Sequence, residues 1–116
     1  MNRVLIVDDH AGFRRFARSL LQAEGVDVVG EAEDEASAVT AVARLRPAVV
    51  LLDVLLPGRD GFAVAERLRD LHPELAIVLT SSRAAREFGS RLRAVPVAGF
   101  VHKDDLSAAA LAQVLG

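Results

Sequence analysis

The chain has 116 residues, the usual size of one compact domain, and we expect residues 1–116 to form a single domain. Hydrophobic residues make up 52% of the chain and charged residues 26%, a balance that excludes an intrinsically disordered protein. The formal net charge of −2 gives no reason to expect non-specific attraction to nucleic acid or to an anionic membrane.

Short apolar segments alternate with longer segments of helical period, and the alternation occurs five times. The predicted strands are residues 3–8, 26–32, 48–53, 75–80 and 98–102. Three of them contain the runs VLIV, VVLL and AIVL, which are apolar throughout, as in parallel strands that helices cover on both faces. The sequence therefore predicts an α/β protein, a (βα)5 three-layer sandwich around a parallel five-stranded sheet.

The first two predicted helices have clear ends. The first spans about residues 11–24 and ends at Gly25, and the second follows the N-cap Asp34 and stops before Pro47. The apolar stripe of the first helix consists of Phe13, Phe16, Ala17, Leu20 and Leu21. The stripe of the second consists of Ala36, Val39 and Ala43.

The remaining helices follow strands three, four and five. The third opens after Asp60 and stops before Pro73, the fourth covers about residues 84–93, and the fifth begins at Ser107. The third stripe is Val64, Leu68 and Leu71, and the fourth is Ala85, Phe88 and Leu92. The fifth is Ala108, Leu111, Ala112 and Leu115, with Leu106 and Leu111 in the positions of a hydrophobic staple.

Polar residues follow four of the five apolar strands. They are Asp8 and Asp9 after the first, Asp53 after the third, Thr80 and Ser81 after the fourth, and Lys103 after the fifth. Ligands of such sheets bind beyond the carboxyl ends of the strands. Three carboxylates in one pocket repel one another unless a cation lies between them, and oxygen ligands without histidine or cysteine favour Mg²⁺, with Mn²⁺ as a substitute.

The two other groups suit a phosphoryl ligand. The Lys103 ammonium can neutralise one phosphoryl oxygen, and the Thr80 hydroxyl can donate to another. A carboxylate oxygen of Asp53 can then act as an in-line nucleophile, which predicts an aspartyl phosphate.

These residues resemble the receiver domains of two-component response regulators, and the resemblance covers the whole chain. It is carried by the segments RVLIVDDH, LLDVLLPGRDGF, IVLTSS and GFVHKDDL. The opening VDDH, the segment DVVGEA and a lysine followed by aspartate are most similar to receivers of LuxR/NarL-type regulators, which carry a DNA-binding domain. The resemblance implies a flavodoxin-like strand order 2-1-3-4-5.

The resemblance also implies a role for each site residue. Asp53 would be the phosphoacceptor, Asp9 a direct Mg²⁺ ligand, Asp8 an acidic partner acting largely through water, and the Leu55 backbone carbonyl a further ligand.

Three further residues match the family's phosphoryl-binding and switching positions. Thr80 and Lys103 would bind the phosphoryl group, and Phe100 would be the switch aromatic, although it also fits a plain core residue. Helix four, strand five and helix five would form the output face, through which two copies could associate.

The expected partners are a sensor histidine kinase and a downstream effector, or an output domain of the same protein. We expect neither membrane insertion nor direct nucleic-acid binding, and the absence of a signal-peptide pattern after Met1 favours a cytoplasmic location. Arg83, Arg86, Arg91 and Arg93 give helix four a basic character, which fits either a solvated face or a partner-binding surface.

The sequence departs from the family pattern at three informative positions. Asp104 replaces the usual proline after Lys103, so we predict a trans peptide bond there. Leu55 and Ser82 occupy the positions that tune phosphate loss, and because neither is a strong base, we predict slow dephosphorylation.

Two other functions use the same residues. A haloacid-dehalogenase-type phosphatase also has a strand-end aspartate nucleophile, but it needs a second aspartate where Leu55 stands. A receiver-like adaptor would act by protein binding without phosphorylation. His10, His72 and His102 lack metal-ligand spacing, and we interpret them as surface residues or as residues behind the site.

Overall fold

The computed structural model describes residues 3–116. Its five strands are β1 (Arg3–Val7), β2 (Asp27–Ala32), β3 (Val49–Asp53), β4 (Ala76–Ser81) and β5 (Gly99–His102). All neighbouring strands are parallel, and their order is β2-β1-β3-β4-β5, as predicted. No helix among residues 3–116 is long and apolar enough to cross a membrane.

Helices cover both faces of the sheet. They are α1 (Ala11–Ala23), α2 (Glu35–Leu45), α3 (Gly61–Leu71), α4 (Arg91–Ala94) and α5 (Ala108–Leu115). Successive residues of a strand point to opposite faces, so Leu5 and Val7 pack with α2 and α3, whereas Val4 and Ile6 pack with α1 and α5. The predicted three-layer sandwich is confirmed.

Three predicted helix starts are confirmed by their caps. Asp34 Oδ1 accepts a hydrogen bond from the Ser37 backbone N–H (2.8 Å), and Asp60 Oδ1 accepts one from the Ala63 N–H (3.0 Å). The Ser107 hydroxyl oxygen accepts from the N–H three residues ahead, at 2.9 Å. Each cap satisfies a backbone donor that has no partner within its helix.

The prediction of one continuous fourth helix over residues 84–93 is wrong. A 3₁₀ turn covers Ala85–Phe88, and the four-residue α4 follows it. Gly89 lies between them with a φ of 57°, outside the right-handed helical region. The glycine therefore breaks the segment into two short pieces.

The predicted stripes of the alanine-containing helices are partly wrong. In α2 the buried residues are Ala38, Ala41 and Val42, and not the predicted Ala36, Val39 and Ala43, of which only Val39 is partly buried. Phe16, Leu71 and Ala112 also belong to predicted stripes but are exposed. Alanine fits both the buried and the exposed side of a helix, so the pattern of an alanine-rich helix does not determine which side packs against the sheet.

Candidate functional site

The carboxyl ends of four strands place the predicted polar residues at one edge of the sheet. Asp53 is the last residue of β3 and pairs with Thr80 of β4, while Asp8 follows β1 and Lys103 follows β5 directly. Asp8, Asp53 and Thr80 are buried although all three are polar. Buried polar groups are therefore concentrated at the carboxyl edge of the sheet, directly beside the apolar core.

The Lys103 ammonium lies between two buried carboxylates. Its Nζ is 2.6 Å from Asp8 Oδ2 and 3.5 Å from Asp53 Oδ2. The same nitrogen lies 4.4 Å from the ring centroid of Phe13 on α1, a cation–π distance. Phe13 was predicted only as an apolar helix residue, because a side chain that meets another element carries no local sequence signal.

Asp53 is held in a state that resists ionisation. Burial and the negative charge of Asp8 raise the pKa of its carboxyl to about 6, although the Leu55 backbone N–H and Lys103 oppose the shift. The Leu55 N–H donates to Asp53 Oδ1 at 3.2 Å. Asp53 therefore ionises less readily than an ordinary aspartate, and positive charge near it favours the carboxylate form that can act as a nucleophile.

An acidic cluster stands beside Lys103. Ligand atoms of Asp8, Asp9, His10 and Asp53 all lie within 4.8 Å of one another. The His10 backbone N–H donates to Asp8 Oδ1 (2.8 Å), and its Nδ1 lies 3.3 Å from Asp9 Oδ1. One ammonium cannot balance three carboxylates, and the oxygen-rich donor set fits a hard divalent cation.

His10 contacts this acidic cluster, although the sequence showed no metal-ligand spacing between the histidines. Its ring nitrogen Nδ1 is 3.1 Å from Asp8 Oδ1, while its side chain is largely exposed to solvent. The sequence interpretation as a surface residue or one behind the site agrees with this place at the rim.

Thr80 has a free hydrogen-bonding group. Its Oγ1 is buried, and it has no hydrogen-bond partner among residues 3–116. Buried hydroxyls are normally paired, so this one, on the residue that is paired with Asp53 in the sheet, is a donor suited to a ligand oxygen. The backbone of the same residue is fixed, because its carbonyl accepts from the Val54 N–H at 2.9 Å.

The loop after β3 is shaped by two glycines. Gly58 has a φ of 82°, as the third position of a type II turn requires. A Cβ on Gly61 would meet the Asp53 carbonyl oxygen and lie 2.7 Å from the Val54 Cα. Gly61 thus permits α3 to begin against the strand end that carries Asp53.

The predicted switch residue lies in an aromatic row. Phe100 is partly buried, its ring centroid is 6.0 Å from that of Phe88, and Phe88 is 5.7 Å from Phe62. The Arg91 guanidinium lies 4.2 Å from the centroid of Phe62 and pairs with Asp60. The row connects the start of α3 with β5.

The Lys103–Asp104 bond is trans, as predicted, since the peptide bonds among residues 3–116 include no cis bond. Lys103 and Asp104 begin a 3₁₀ turn that ends at Asp105. Lys103 therefore reaches the site from a 3₁₀ turn, with aspartate and not proline as the next residue.

The site thus combines a nucleophile, a cation and a hydroxyl donor. The Asp53 carboxylate is next to the Lys103 ammonium, and the unpaired hydroxyl of Thr80 comes from the neighbouring strand. Such a set can accept an electrophilic, negatively charged group onto a carboxylate oxygen.

Residues 4–115 match the family model described as "Response regulator receiver domain". The signal receiver domain of the putative response regulator NarL from Mycobacterium tuberculosis has a TM-score of 0.86 and 33% identity, over 99% of this chain and 97% of that one.

Two curated relatives are longer than this chain. Response regulator GacA of Pseudomonas protegens is 36% identical over 104 residues, which are 89% of this chain and 49% of that protein. Protein-glutamate methylesterase/protein-glutamine glutaminase 4 of Geobacter metallireducens is 42% identical over 96 residues, 82% of this chain and 28% of that protein. The chain spans about half the length of the former and about a quarter of the latter.

Proposed function

The chain belongs to the response regulator receiver domain family of two-component systems, and from this premise we propose that Asp53 accepts a phosphoryl group from a sensor histidine kinase. The observation that carries the proposal is the buried Asp53 carboxylate, which lies 3.5 Å from the Lys103 ammonium and is paired in the sheet with Thr80, whose buried hydroxyl has no partner among residues 3–116. The domain would catalyse its own phosphorylation and dephosphorylation and no other reaction.

The chemistry needs little covalent help from the protein. An Asp53 oxygen forms a bond to phosphorus while the bond from phosphorus to the donor's imidazole nitrogen breaks, and the imidazole keeps the electron pair. Lys103 and Thr80 would each contact one phosphoryl oxygen and neutralise or stabilise its charge. Lys103 would turn from Asp8 toward the phosphoryl group as that charge arrives.

The acidic cluster fits Mg²⁺, with Mn²⁺ as a substitute. We propose that Asp8, Asp9, Asp53 and the Leu55 backbone carbonyl hold the ion, with Asp8 acting largely through water. When bound, the ion supplies positive charge that balances the carboxylates and the phosphoryl oxygens.

Signal output would follow from a shift of Thr80 toward the phosphoryl group and a movement of Phe100 in the aromatic row. We propose α4, β5 and α5 as the output face, available to an effector, an output domain of the same protein or a second copy. A LuxR-type DNA-binding output fits the NarL-like receiver, while this chain itself would bind neither nucleic acid nor a membrane. A single domain over residues 1–116 and a cytoplasmic location are part of the proposal.

Acetyl phosphate with Mg²⁺ tests the proposal directly. Intact mass spectrometry should show one added phosphoryl group on the wild-type chain and none on Asp53→Asn. Asp105→Asn, which changes an exposed carboxylate outside the site, should still take up the group. No adduct on the wild type would favour an adaptor that works without phosphorylation, whereas sustained hydrolysis without an adduct would favour a phosphatase.

A further inference from the structure

One imidazole joins the loop after β4, which follows Thr80, to the turn that begins at Lys103. His102 is the last residue of β5, and its Cα is paired with that of Ser81, the last residue of β4. Beyond this pair the β4–β5 ladder ends, and the chain continues into Ser82 on one side and Lys103 on the other. The His102 side chain makes the next connection between the two strands.

The connection has two arms. His102 Nε2 lies 2.8 Å from the backbone carbonyl oxygen of Ser82, and the Asp104 backbone N–H donates to His102 Nδ1 at 3.0 Å. The Asp104 carboxylate is farther from Nδ1, at 3.7 Å, and its side chain is 88% exposed. The backbone N–H is therefore the partner that defines the state of Nδ1.

The two partners assign the tautomer. A carbonyl oxygen can only accept and a backbone N–H can only donate, so both arms exist together only in the neutral ring that carries its proton on Nε2. A ring with the proton on Nδ1 would lose both hydrogen bonds. Its Nδ1–H donor would face the Asp104 N–H donor, and its bare Nε2 acceptor would face the Ser82 carbonyl oxygen.

The two hydrogen bonds of His102 end at residues close in sequence to the two phosphoryl-binding residues. Ser82 is two residues beyond Thr80, and Asp104 directly follows Lys103. The turn after β4 has one further internal bond, in which the Arg83 N–H donates to the Ser81 hydroxyl oxygen at 3.0 Å. Since the ladder ends at Ser81 and His102, the imidazole limits how far Ser82 can move away from the Lys103 turn.

We propose that His102 is a positioning residue that holds the Ser82 loop, which follows Thr80, against the turn that carries the Lys103 ammonium before the phosphoryl group arrives. The inference rests on the proposed phosphorylation of Asp53. It assigns a function to a histidine that the sequence analysis treated as a surface residue or one behind the site.

Two substitutions separate the arms. His102→Asn keeps an acceptor for the Asp104 N–H but is too short to reach Ser82, whereas His102→Gln can place an amide N–H near the position of Nε2. We expect acetyl phosphate in Mg²⁺ buffer to label His102→Asn about fivefold more slowly than the wild type, the effect of one lost hydrogen bond on a barrier. His102→Gln should recover most of that rate.

His72→Asn provides the matched control, since it makes the same change at the end of α3, away from the site. It should be labelled at the wild-type rate. Equal rates for His102→Asn and the wild type would overturn the inference, and so would equal slowing by the Asn and Gln variants, because the Ser82 arm would then not matter.

Nitrogen-15 NMR of the wild-type imidazole tests the connection without any variant. We expect Nε2 to be protonated and Nδ1 to be unprotonated, in one long-lived tautomer; an Nδ1-protonated or freely averaging ring would overturn the inference even if a variant fails to fold. If the wild-type chain takes no phosphoryl group, the proposed function fails by itself, and the NMR result still decides whether His102 joins the loops.

Discussion

The ammonium of Lys103 lies closer to Asp8 than to Asp53, with Nζ–Oδ2 distances of 2.6 and 3.5 Å. The lysine thus compensates mainly the carboxylate that is not the proposed nucleophile. Asp53 is left buried beside another negative charge, and its pKa is raised to about 6 for these reasons.

Asp53 should make the stability of the chain depend on pH. An aspartate carboxyl ordinarily has a pKa of 3.8, and that of Asp53 is about 6 in the folded chain, so its contribution to stability is fully present below about pH 4 and is lost as pH rises through 6. Asp53→Asn should therefore raise the free energy of unfolding by about 2–3 kcal/mol at pH 7, with a smaller gain near pH 4.

Urea denaturation in the presence of a chelator, repeated across this pH range, measures the gain. Asp70→Asn is the control, because Asp70 is exposed on α3 and its replacement should leave the pH dependence unchanged. A gain for Asp53→Asn of the same size at every pH would contradict the prediction.

Divalent cations should stabilise the wild-type chain through its acidic cluster. At a Mg²⁺ concentration about ten times the dissociation constant, binding to the folded state adds about 1.4 kcal/mol. Thermal unfolding with and without Mg²⁺ measures this gain, which Mn²⁺ should also produce. Asp9→Asn should reduce it and Asp105→Asn should not; an equal gain in both variants would place the ion elsewhere.

Gly61→Ala should damage both the fold and the site. A Cβ there would lie 2.7 Å from the Val54 Cα, backbone that cannot move without displacing the end of β3. We expect a loss of about 2 kcal/mol or more and slower phosphorylation of Asp53. Gly12→Ala is the matched control, since its Cβ would meet nothing within 4 Å and it lies in α1. If denaturant titration shows equal stability for the two variants, the close approach at Gly61 is not a constraint.

Arg91 should hold the short helix α4 against the start of α3. Its guanidinium pairs with Asp60 and stacks over Phe62, but more than half of its side chain is exposed, so Arg91→Ala should lower global stability by less than about 1 kcal/mol. Hydrogen exchange at residues 91–94 should become clearly faster. Arg93→Ala, at an exposed position of the same helix, should leave that exchange nearly unchanged; equal effects would show that the contacts of Arg91 do not anchor α4.

The aspartyl phosphate should be long-lived. Leu55 is apolar and 43% exposed, so it offers no group that would orient water toward the phosphate, and Ser82 is not a strong base. We expect a half-life well beyond seconds in Mg²⁺ buffer, followed by loss of the added mass. Leu55→Glu should shorten it, because a carboxylate can orient water, and Leu71→Glu, at another exposed leucine, should not. Decay of the wild-type phosphate within seconds would refute the prediction.

The strands could be predicted from the sequence because their signals are local. Their predicted ends differ from the structure by at most one residue, since apolar runs meet polar or glycine residues at their boundaries. The caps Asp34, Asp60 and Ser107 are equally local, because each side chain bonds to a backbone group three residues ahead. The interruption at Gly89 was missed, since a helical stripe of three residues continues across it.

The sequence by itself determined the order of elements, the parallel sheet and the set of residues at its carboxyl edge, because these depend on periodicity and on the order of strand ends. Only the tertiary structure decided which faces of α2 and α5 are buried, that Lys103 contacts Asp8 more closely than Asp53, and that Phe13 and His102 adjoin the site. These are distances between segments far apart in the chain. They are set by how helices dock on the sheet, and side-chain pattern within one segment does not encode them.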